Sequence, residues 1–127
     1  MGTAPDLLSG LDVLLVEDEF MIAVDAQDIL QGLDARAVRI ASTYDQAHRC
    51  VSEDRFDIAV LDVNINGKMS FPLSAVLKER GIPFVFATGY SLKDRTVPGL
   101  DGQICVSKPY DRERLKAGLQ QALEQRI

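Results

Sequence analysis

The 127-residue chain has little cysteine, no long apolar run and no surplus of positive charge. Its two cysteines, Cys50 and Cys105, stand far apart without the spacing of metal ligands, which predicts reduced packing residues rather than a disulfide or a zinc site. No apolar stretch approaches the length that spans a bilayer. The formal net charge of −5 argues against a surface that binds nucleic-acid phosphates. We therefore expect neither a membrane nor a nucleic acid as a partner.

The opening segment and the chain length predict the domain organisation. The first ten residues, MGTAPDLLSG, lack the basic start and the apolar centre of a secretory signal. Position six is Asp6 instead of the serine or threonine of a myristoylation site. We interpret residues 1–10 as a short lead-in and residues 11–127 as one domain, which we expect to lie in the cytoplasm.

Apolar periodicity predicts strands that alternate with helices. Five apolar runs predict strands, the second of them an edge strand because it alternates more with polar residues: 13–16, 37–41, 58–61, 84–87 and 104–106. Helix-period stripes follow each run, and the polar stretch from Ser91 to Thr96 is assigned as a helix by its place in that order: 22–33, 44–51, 70–77, 91–96 and 115–123. This order indicates an α/β fold with a five-stranded parallel sheet between two helical layers.

Chemically active residue types stand at the carboxyl ends of the predicted strands. Glu17 and Asp18 follow the first strand, Asp62 the third, Thr88 the fourth and Lys108 the fifth. Ligands of open parallel sheets bind at this edge. Three carboxylates placed together repel one another by roughly 1 to 4 kcal/mol per pair. We therefore expect a divalent cation, and Mg²⁺ is the usual choice for carboxylate, carbonyl and water ligands.

A cation beside Asp62, with Thr88 and Lys108 as donors, is an arrangement suited to a phosphoryl group. The cation and the Lys108 ammonium would neutralise the phosphoryl oxygens while the Asp62 carboxylate attacks phosphorus in line. Burial of a carboxylate at the end of an apolar strand is costly, so a role in chemistry explains it better than accident. Asp62 is therefore predicted to be a covalent phosphoacceptor.

This combination of residues, in this order along the chain, resembles the receiver domain of two-component response regulators. The resemblance covers the chain from about Leu11 to its carboxyl end. It implies a flavodoxin-like (βα)5 three-layer sandwich with the strand order 2-1-3-4-5. It also implies that Thr88 and Lys108 contact the phosphoryl oxygens and that the peptide bond between Lys108 and Pro109 is cis.

The same resemblance implies a set of ligands for Mg²⁺. Asp18 and Asp62 would bind the cation directly, Glu17 would act mostly through water, and Asn64 would contribute its backbone carbonyl oxygen. The cofactor expected for this chain is therefore Mg²⁺.

The chain departs from the usual receiver pattern at one position. Receivers usually carry an aromatic switch residue three positions before the lysine, and Cys105 stands there instead. In compensation, PFVFATGY at 83–90 is similar to a PFxFATGY signature of receivers that lack this aromatic, a subgroup associated in alphaproteobacteria with sensor kinases of the HWE type. We therefore expect Tyr90 to take over part of the signalling, and Cys105 is the other candidate switch residue.

The resemblance implies a phosphorylation switch and not a classical enzyme. The chain would accept a phosphoryl group from a sensor histidine kinase, with at most slow autophosphorylation and autodephosphorylation, and would then change its contacts with a downstream protein. We expect a stand-alone regulator, with an excised domain as the other possibility. The weak apolar pattern from Ser91 to Gly102 leaves a monomer or a weak dimer open.

Other interpretations exist for each residue and for the whole chain. Glu17 and Asp18 could cap the following helix, and Asp62 could belong to the turn marked by Asn66 and Gly67. The joint occurrence of the predicted site residues at one sheet edge argues against these separate explanations. His48 is not part of that group, and we expect it to have a helix-surface or packing role.

Two functional alternatives also remain. One is a constitutive interaction module that kept the receiver fold. The other is a phosphohydrolase with an aspartate nucleophile, as in haloacid-dehalogenase-like enzymes. Those enzymes carry an acid two positions after the nucleophile, where this chain has Asn64.

Overall fold

A computed structural model describes residues 4–89 and 102–125 of the chain. In these two ranges the elements follow one another as β1 (Asp12–Val16), α1 (Phe20–Gly32), β2 (Ala37–Ala41), α2 (Tyr44–Glu53), β3 (Ile58–Asp62), β4 (Asn64–Ile65), β5 (Lys68–Met69), α3 (Phe71–Glu79), β6 (Phe84–Thr88), β7 (Cys105–Ser107) and α4 (Arg112–Glu124). The predicted helix at 91–96 lies outside the described residues.

Five of these strands form one parallel sheet in the order β2-β1-β3-β6-β7. Once the two short strands β4 and β5 are set aside, this is the predicted order 2-1-3-4-5, which is confirmed. Across the described ranges, no helix is both long enough and apolar enough to cross a lipid bilayer.

Helices cover both faces of the sheet. Alternate residues of a strand point to opposite faces, so each strand contributes to two cores. Val13 and Leu15 of β1 belong to a core shared with α1 and α4, whereas Leu14 and Val16 belong to a second core shared with α2 and α3. Every residue of the central strand β3 is buried. The edge strand β2 alternates between exposed and half-buried positions before its last residue, as its sequence predicts. The result is the predicted three-layer α/β sandwich.

Part of the predicted lead-in packs against the rest of the molecule. Leu8 is fully buried in the core that contains α1 and α4, and its backbone N–H donates to the carbonyl oxygen of Leu33 at 2.9 Å. The Asp6 carboxylate pairs with Arg112 at 2.9 Å and with Lys116 at 2.8 Å, both on α4. The segment before β1 therefore ties the end of α1 to α4.

An antiparallel hairpin, which the sequence analysis did not foresee, follows the central strand. Strands β4 and β5 pair directly, and Asn66 and Gly67 between them have φ values of 51° and 90°. Two consecutive left-handed residues are the geometry of a type I′ turn, for which Asn-Gly is the preferred pair. The turn suggested by Asn66 and Gly67 is therefore present, and it closes this hairpin beside Asp62.

Candidate functional site

The carboxyl edge of the sheet brings together the five residues singled out from the sequence. Asp62 and Thr88 are the last residues of β3 and β6, and Glu17 and Lys108 come directly after β1 and β7. The strand pairing extends past these ends: the Glu17 N–H donates to the Ala41 carbonyl at 3.1 Å, and the Lys108 N–H donates to the Thr88 carbonyl at 2.8 Å. The backbone of the site is therefore part of the rigid sheet.

Lys108 links two of the predicted acids. Its ammonium lies 2.9 Å from Asp62 Oδ2 and 3.0 Å from Glu17 Oε1. All three groups are withdrawn from water, with exposed fractions of 4% for Asp62, 1% for Glu17 and 9% for the Lys108 side chain. Buried charges persist only when they are paired, so this contact offsets part of the desolvation of each partner.

Protonation of the Lys108 amine is favoured by this environment. Burial alone would lower the pKa of Lys108, but the hydrogen bonds to Asp62 and Glu17 outweigh burial and hold that pKa above its usual range. Lys108 is therefore a fixed positive charge next to the Asp62 carboxylate.

The environment of Glu17 favours its neutral form, because the cost of burying its charge is not fully compensated. Desolvation raises the pKa of Glu17 to about 7, although the Glu19 backbone N–H donates to Oε2 at 3.1 Å and Lys108 binds Oε1. The nearby Asp62 charge contributes to the same rise. The site thus holds more negative charge than its one ammonium balances.

Asp18 lies at the rim of the site and is held by the hairpin. Its Oδ2 accepts a hydrogen bond from the backbone N–H of Asn66 at 2.9 Å. Burial raises the pKa of Asp18, but the Asn66 N–H and other hydrogen bonds outweigh it, so the net pKa lies below the usual value. One oxygen each from Glu17, Asp18 and Asp62 lie within 4.8 Å of one another. Oxygen donors at this spacing suit a hard divalent cation.

The remaining predicted residues lie beside these acids. The Asn64 N–H donates to Asp62 Oδ1 at 3.3 Å, and Thr88 is buried at the end of β6. The peptide bond between Lys108 and Pro109 is cis, as the resemblance implies. An open cleft reaches Asp62 and Lys108 from the surface, and its lining consists of Asp18, Glu19, Ile22, Asp62, Asn64, Gly89, Lys108 and Pro109.

Two predicted switch residues and one histidine lie away from this cleft or beyond the described ranges. Tyr90 is outside the described residues. Cys105, in β7, is half-buried against the core that contains α2 and α3, and burial raises the pKa of its thiol. His48 is exposed on α2, which agrees with the helix-surface role expected for it.

Sequence reasoning missed Tyr110, which follows the lysine and proline of the site. Its hydroxyl oxygen is buried and finds no hydrogen-bond partner within residues 4–89 and 102–125. Desolvation raises the pKa of Tyr110, and the charges of Glu17 and Asp62 add to the rise, so the hydroxyl stays protonated. No pattern in the sequence distinguishes it from an ordinary packing residue. The contact between the Asn66 backbone N–H and Asp18 was also not predicted, although the Asn66-Gly67 pair does predict a turn.

Known proteins resemble this chain in sequence, and solved structures resemble it in fold. Residues 13–120 match the family described as the response regulator receiver domain. The phyllosphere-induced regulator PhyR of Methylorubrum extorquens is 28% identical over 116 residues, which cover 88% of this chain and 43% of PhyR. The chain spans about half the length of the curated relatives it matches.

Two structures illustrate the likeness. The solution structure of SdrG from Sphingomonas melonis Fr1 has a TM-score of 0.73 at 36% identity, with 89% of this chain and 95% of SdrG covered. The receiver domain of a sensor histidine kinase from Pseudomonas aeruginosa, which has a magnesium ion in its active-site cleft, has a TM-score of 0.73 at 21% identity, with 91% and 99% covered. The family match over residues 13–120, most of the chain, places this chain in the response regulator receiver domain family.

Proposed function

We propose that this chain is a phosphorylation-dependent signalling switch whose phosphoacceptor is Asp62. One observation supports this proposal most strongly: the Asp62 carboxylate is buried at the end of the central strand, 2.9 Å from the buried ammonium of Lys108 and beside two further acids. A carboxylate in this position is expensive for stability. The cost is understandable if Asp62 is the group that reacts.

The acids of the site fit Mg²⁺ by the chemistry of their donors. Three carboxylates against one ammonium leave two negative charges uncompensated, which a divalent cation balances. Asp18 and Asp62 would bind the cation directly, Glu17 through water, and Asn64 through its backbone carbonyl. When bound, Mg²⁺ neutralises charge on the phosphoryl oxygens.

The residues of the chain then divide the phosphoryl transfer among them. An Asp62 carboxylate oxygen attacks phosphorus and forms the acyl phosphate bond, while the phosphorus–nitrogen bond of the donor phosphohistidine breaks and its electron pair stays on the imidazole nitrogen. Lys108 and Thr88 bind the phosphoryl oxygens as they move between the two groups. Autodephosphorylation is slow because Asn64, two positions after Asp62, is an amide that provides no general acid or base.

Signalling follows from the new charge on Asp62. The phosphoryl dianion makes charge-assisted contacts with Thr88, the last residue of β6, and with Lys108, which directly follows β7. We assign part of the readout to Tyr90, two residues after Thr88, since Cys105 occupies the place of the usual aromatic. If Tyr90→Ala leaves phosphorylation-dependent partner binding unchanged, this assignment is wrong.

The proposed partners are a sensor histidine kinase and a downstream protein. The large apolar side chains of Phe20 and Met21 are exposed at the start of α1, immediately before Ile22, which lines the cleft. Exposed apolar groups around a reactive cleft are typical of a protein-docking surface. The PFVFATGY segment supports a kinase of the HWE type.

Acetyl phosphate with Mg²⁺ tests the reaction, and intact-protein mass spectrometry measures it. We expect the mass of one phosphoryl group to appear, to be lost with time, and to be absent from Asp62→Asn. The matched control is Asp57→Asn, because Asp57 precedes the same strand at the opposite edge of the sheet, where its carboxylate accepts the Asp12 N–H at 2.7 Å. This control should be phosphorylated normally.

The same experiment separates the alternatives. A phosphohydrolase would release inorganic phosphate continuously without accumulating the adduct, and a constitutive interaction module would neither gain mass nor release phosphate. Either result, or an adduct that persists in Asp62→Asn, would contradict the proposed switch.

A further inference from the structure

The β4–β5 hairpin places a backbone amide against one of the acids of the site. Asn66 N–H donates to Asp18 Oδ2 at 2.9 Å, although the two residues are 48 positions apart in the chain. Asp18 lies after β1, whereas the hairpin follows Asp62 after β3. The hydrogen bond therefore links Asp18 to the hairpin that follows Asp62, through a turn of uncharged residues.

The hairpin is anchored well enough to hold that amide in place. Ile65 of β4 is fully buried in the core below, and the Ser70 N–H donates to the Val63 carbonyl at 2.8 Å where the hairpin ends. The Lys68 ammonium of β5 lies 5.0 Å from the ring centre of Tyr44 on α2, a cation–π distance. The hairpin is thus fixed to both the core and a neighbouring helix.

The turn depends on residues that adopt left-handed backbone conformations. Asn66 and Gly67 have φ values of 51° and 90°, and the Gly67 N–H donates to the side-chain Oδ1 of Asn64 at 2.8 Å. Asparagine and glycine adopt positive φ readily, whereas a β-branched residue does so only with strain. The direction of the Asn66 N–H is therefore set by the local sequence.

The amide restricts the orientation of the Asp18 carboxylate. A carboxylate oxygen that accepts a directed hydrogen bond has fewer orientations available to it, so less orientational freedom is lost when the group binds a ligand. Groups that orient metal ligands in this way commonly change metal affinity by 10- to 100-fold.

We propose that the Asn66–Gly67 turn is a positioning element for Mg²⁺, in which the Asn66 backbone N–H orients the Asp18 carboxylate. The inference rests on the proposed function in that it takes Asp18 to be a ligand of the cation. Because coupling between two equilibria is reciprocal, cation binding in turn stabilises the hairpin in its observed pairing.

A pair of substitutions at Gly67 tests the proposal. A Cβ at this position would have no atom within 4 Å outside its own residue and its two chain neighbours, so we expect the effect to arise from the backbone conformation rather than from a clash. Gly67→Val disfavours the positive φ, whereas Gly67→Asn adds a side chain and tolerates it. Mg²⁺ affinity, measured by calorimetry without a phosphodonor, should fall about tenfold in Gly67→Val and stay near the wild-type value in Gly67→Asn. Equal affinities in the two variants would overturn the proposal.

Two further measurements cover the case in which Gly67→Val does not fold. Asn66→Gly keeps both the amide and the positive φ, so its Mg²⁺ affinity should match that of the wild-type protein; a tenfold loss would assign the effect to the Asn66 side chain and overturn the proposal. In the wild-type protein, the Asn66 amide should be protected from hydrogen exchange and should lose this protection in Asp18→Ala. An exchange rate that is the same in both proteins would also overturn it.

Failure of this inference can be told from failure of the proposed function. If the wild-type protein takes up a phosphoryl group on Asp62 but both Gly67 variants bind Mg²⁺ equally, only the positioning role is wrong. If Gly67→Val alone loses affinity but Asp62 is never phosphorylated, the positioning role stands and the proposed function is wrong.

Discussion

The two edges of the β-sheet carry similar ion pairs in opposite surroundings. At the carboxyl edge, Lys108 binds Glu17 and Asp62 where its side chain is 9% exposed. At the amino edge, Arg36 binds Asp12 with Nε donating to Oδ1 at 2.9 Å, but the Arg36 side chain is 66% exposed. Water screens the second pair and not the first. The donor–acceptor distances in the two pairs are similar, so the difference in stability that we expect between them comes from burial.

The largest effect is expected from removing the buried cation. Lys108→Met leaves two buried carboxylates without their partner, so the free energy of unfolding should fall by about 3 to 5 kcal/mol at pH 8 in EDTA. Urea denaturation followed by circular dichroism measures it. Added Mg²⁺ should restore part of the loss, because it also neutralises carboxylates. A loss below about 1 kcal/mol would mean that the buried pair contributes no more than a surface pair.

A smaller, pH-dependent effect is expected at Glu17. Its folded-state pKa is raised from 4.5 to about 7, so the unfolded chain releases this proton more readily and stability declines as pH rises through that window. Glu17→Gln removes the penalty. In EDTA, the variant should gain stability relative to the wild-type protein at pH 8 but not at pH 5, by on the order of 2 kcal/mol.

Denaturant titrations of both proteins at the two pH values check this prediction. A stability difference that is the same at pH 5 and pH 8 would show that the Glu17 carboxyl is not the titrating group.

The smallest effect is expected at the amino edge. Arg36→Met makes the same replacement of a paired cation by methionine as the Lys108 variant, but the partner Asp12 can be hydrated once the guanidinium is gone. Its free energy of unfolding should equal that of the wild-type protein within the error of the same urea titration. A loss comparable to that of Lys108→Met would contradict the role given to burial in this comparison.

Much of the fold and of the site followed from the sequence because both depend on strand ends. Continuous apolar runs identified the strands, and in a parallel sheet their carboxyl ends share one edge, so Asp62 and Lys108 had to lie close together. The order of the strands came from the family resemblance. Apolar periodicity alone does not fix it.

Other features depended on contacts that no local pattern encodes. The hydrogen bond from Asn66 to Asp18 exists only because a hairpin closes after β3, and the Asn-Gly turn was recognised without the strands on either side, each of which is only two residues long. The buried hydroxyl of Tyr110 and the packing of Leu8 are consequences of tertiary structure. Sequence periodicity therefore predicts the helices and strands more reliably than it predicts the loops and the tertiary contacts between them.

The burial of Leu8 affects where a truncated version of the protein can begin. The family match begins at residue 13, and a fragment started there would lose a side chain that is fully enclosed between the end of α1 and its neighbours. It would also lose the aspartate that binds two basic residues of α4. Expression plasmids for spectroscopy or crystallisation should therefore retain the chain upstream of β1.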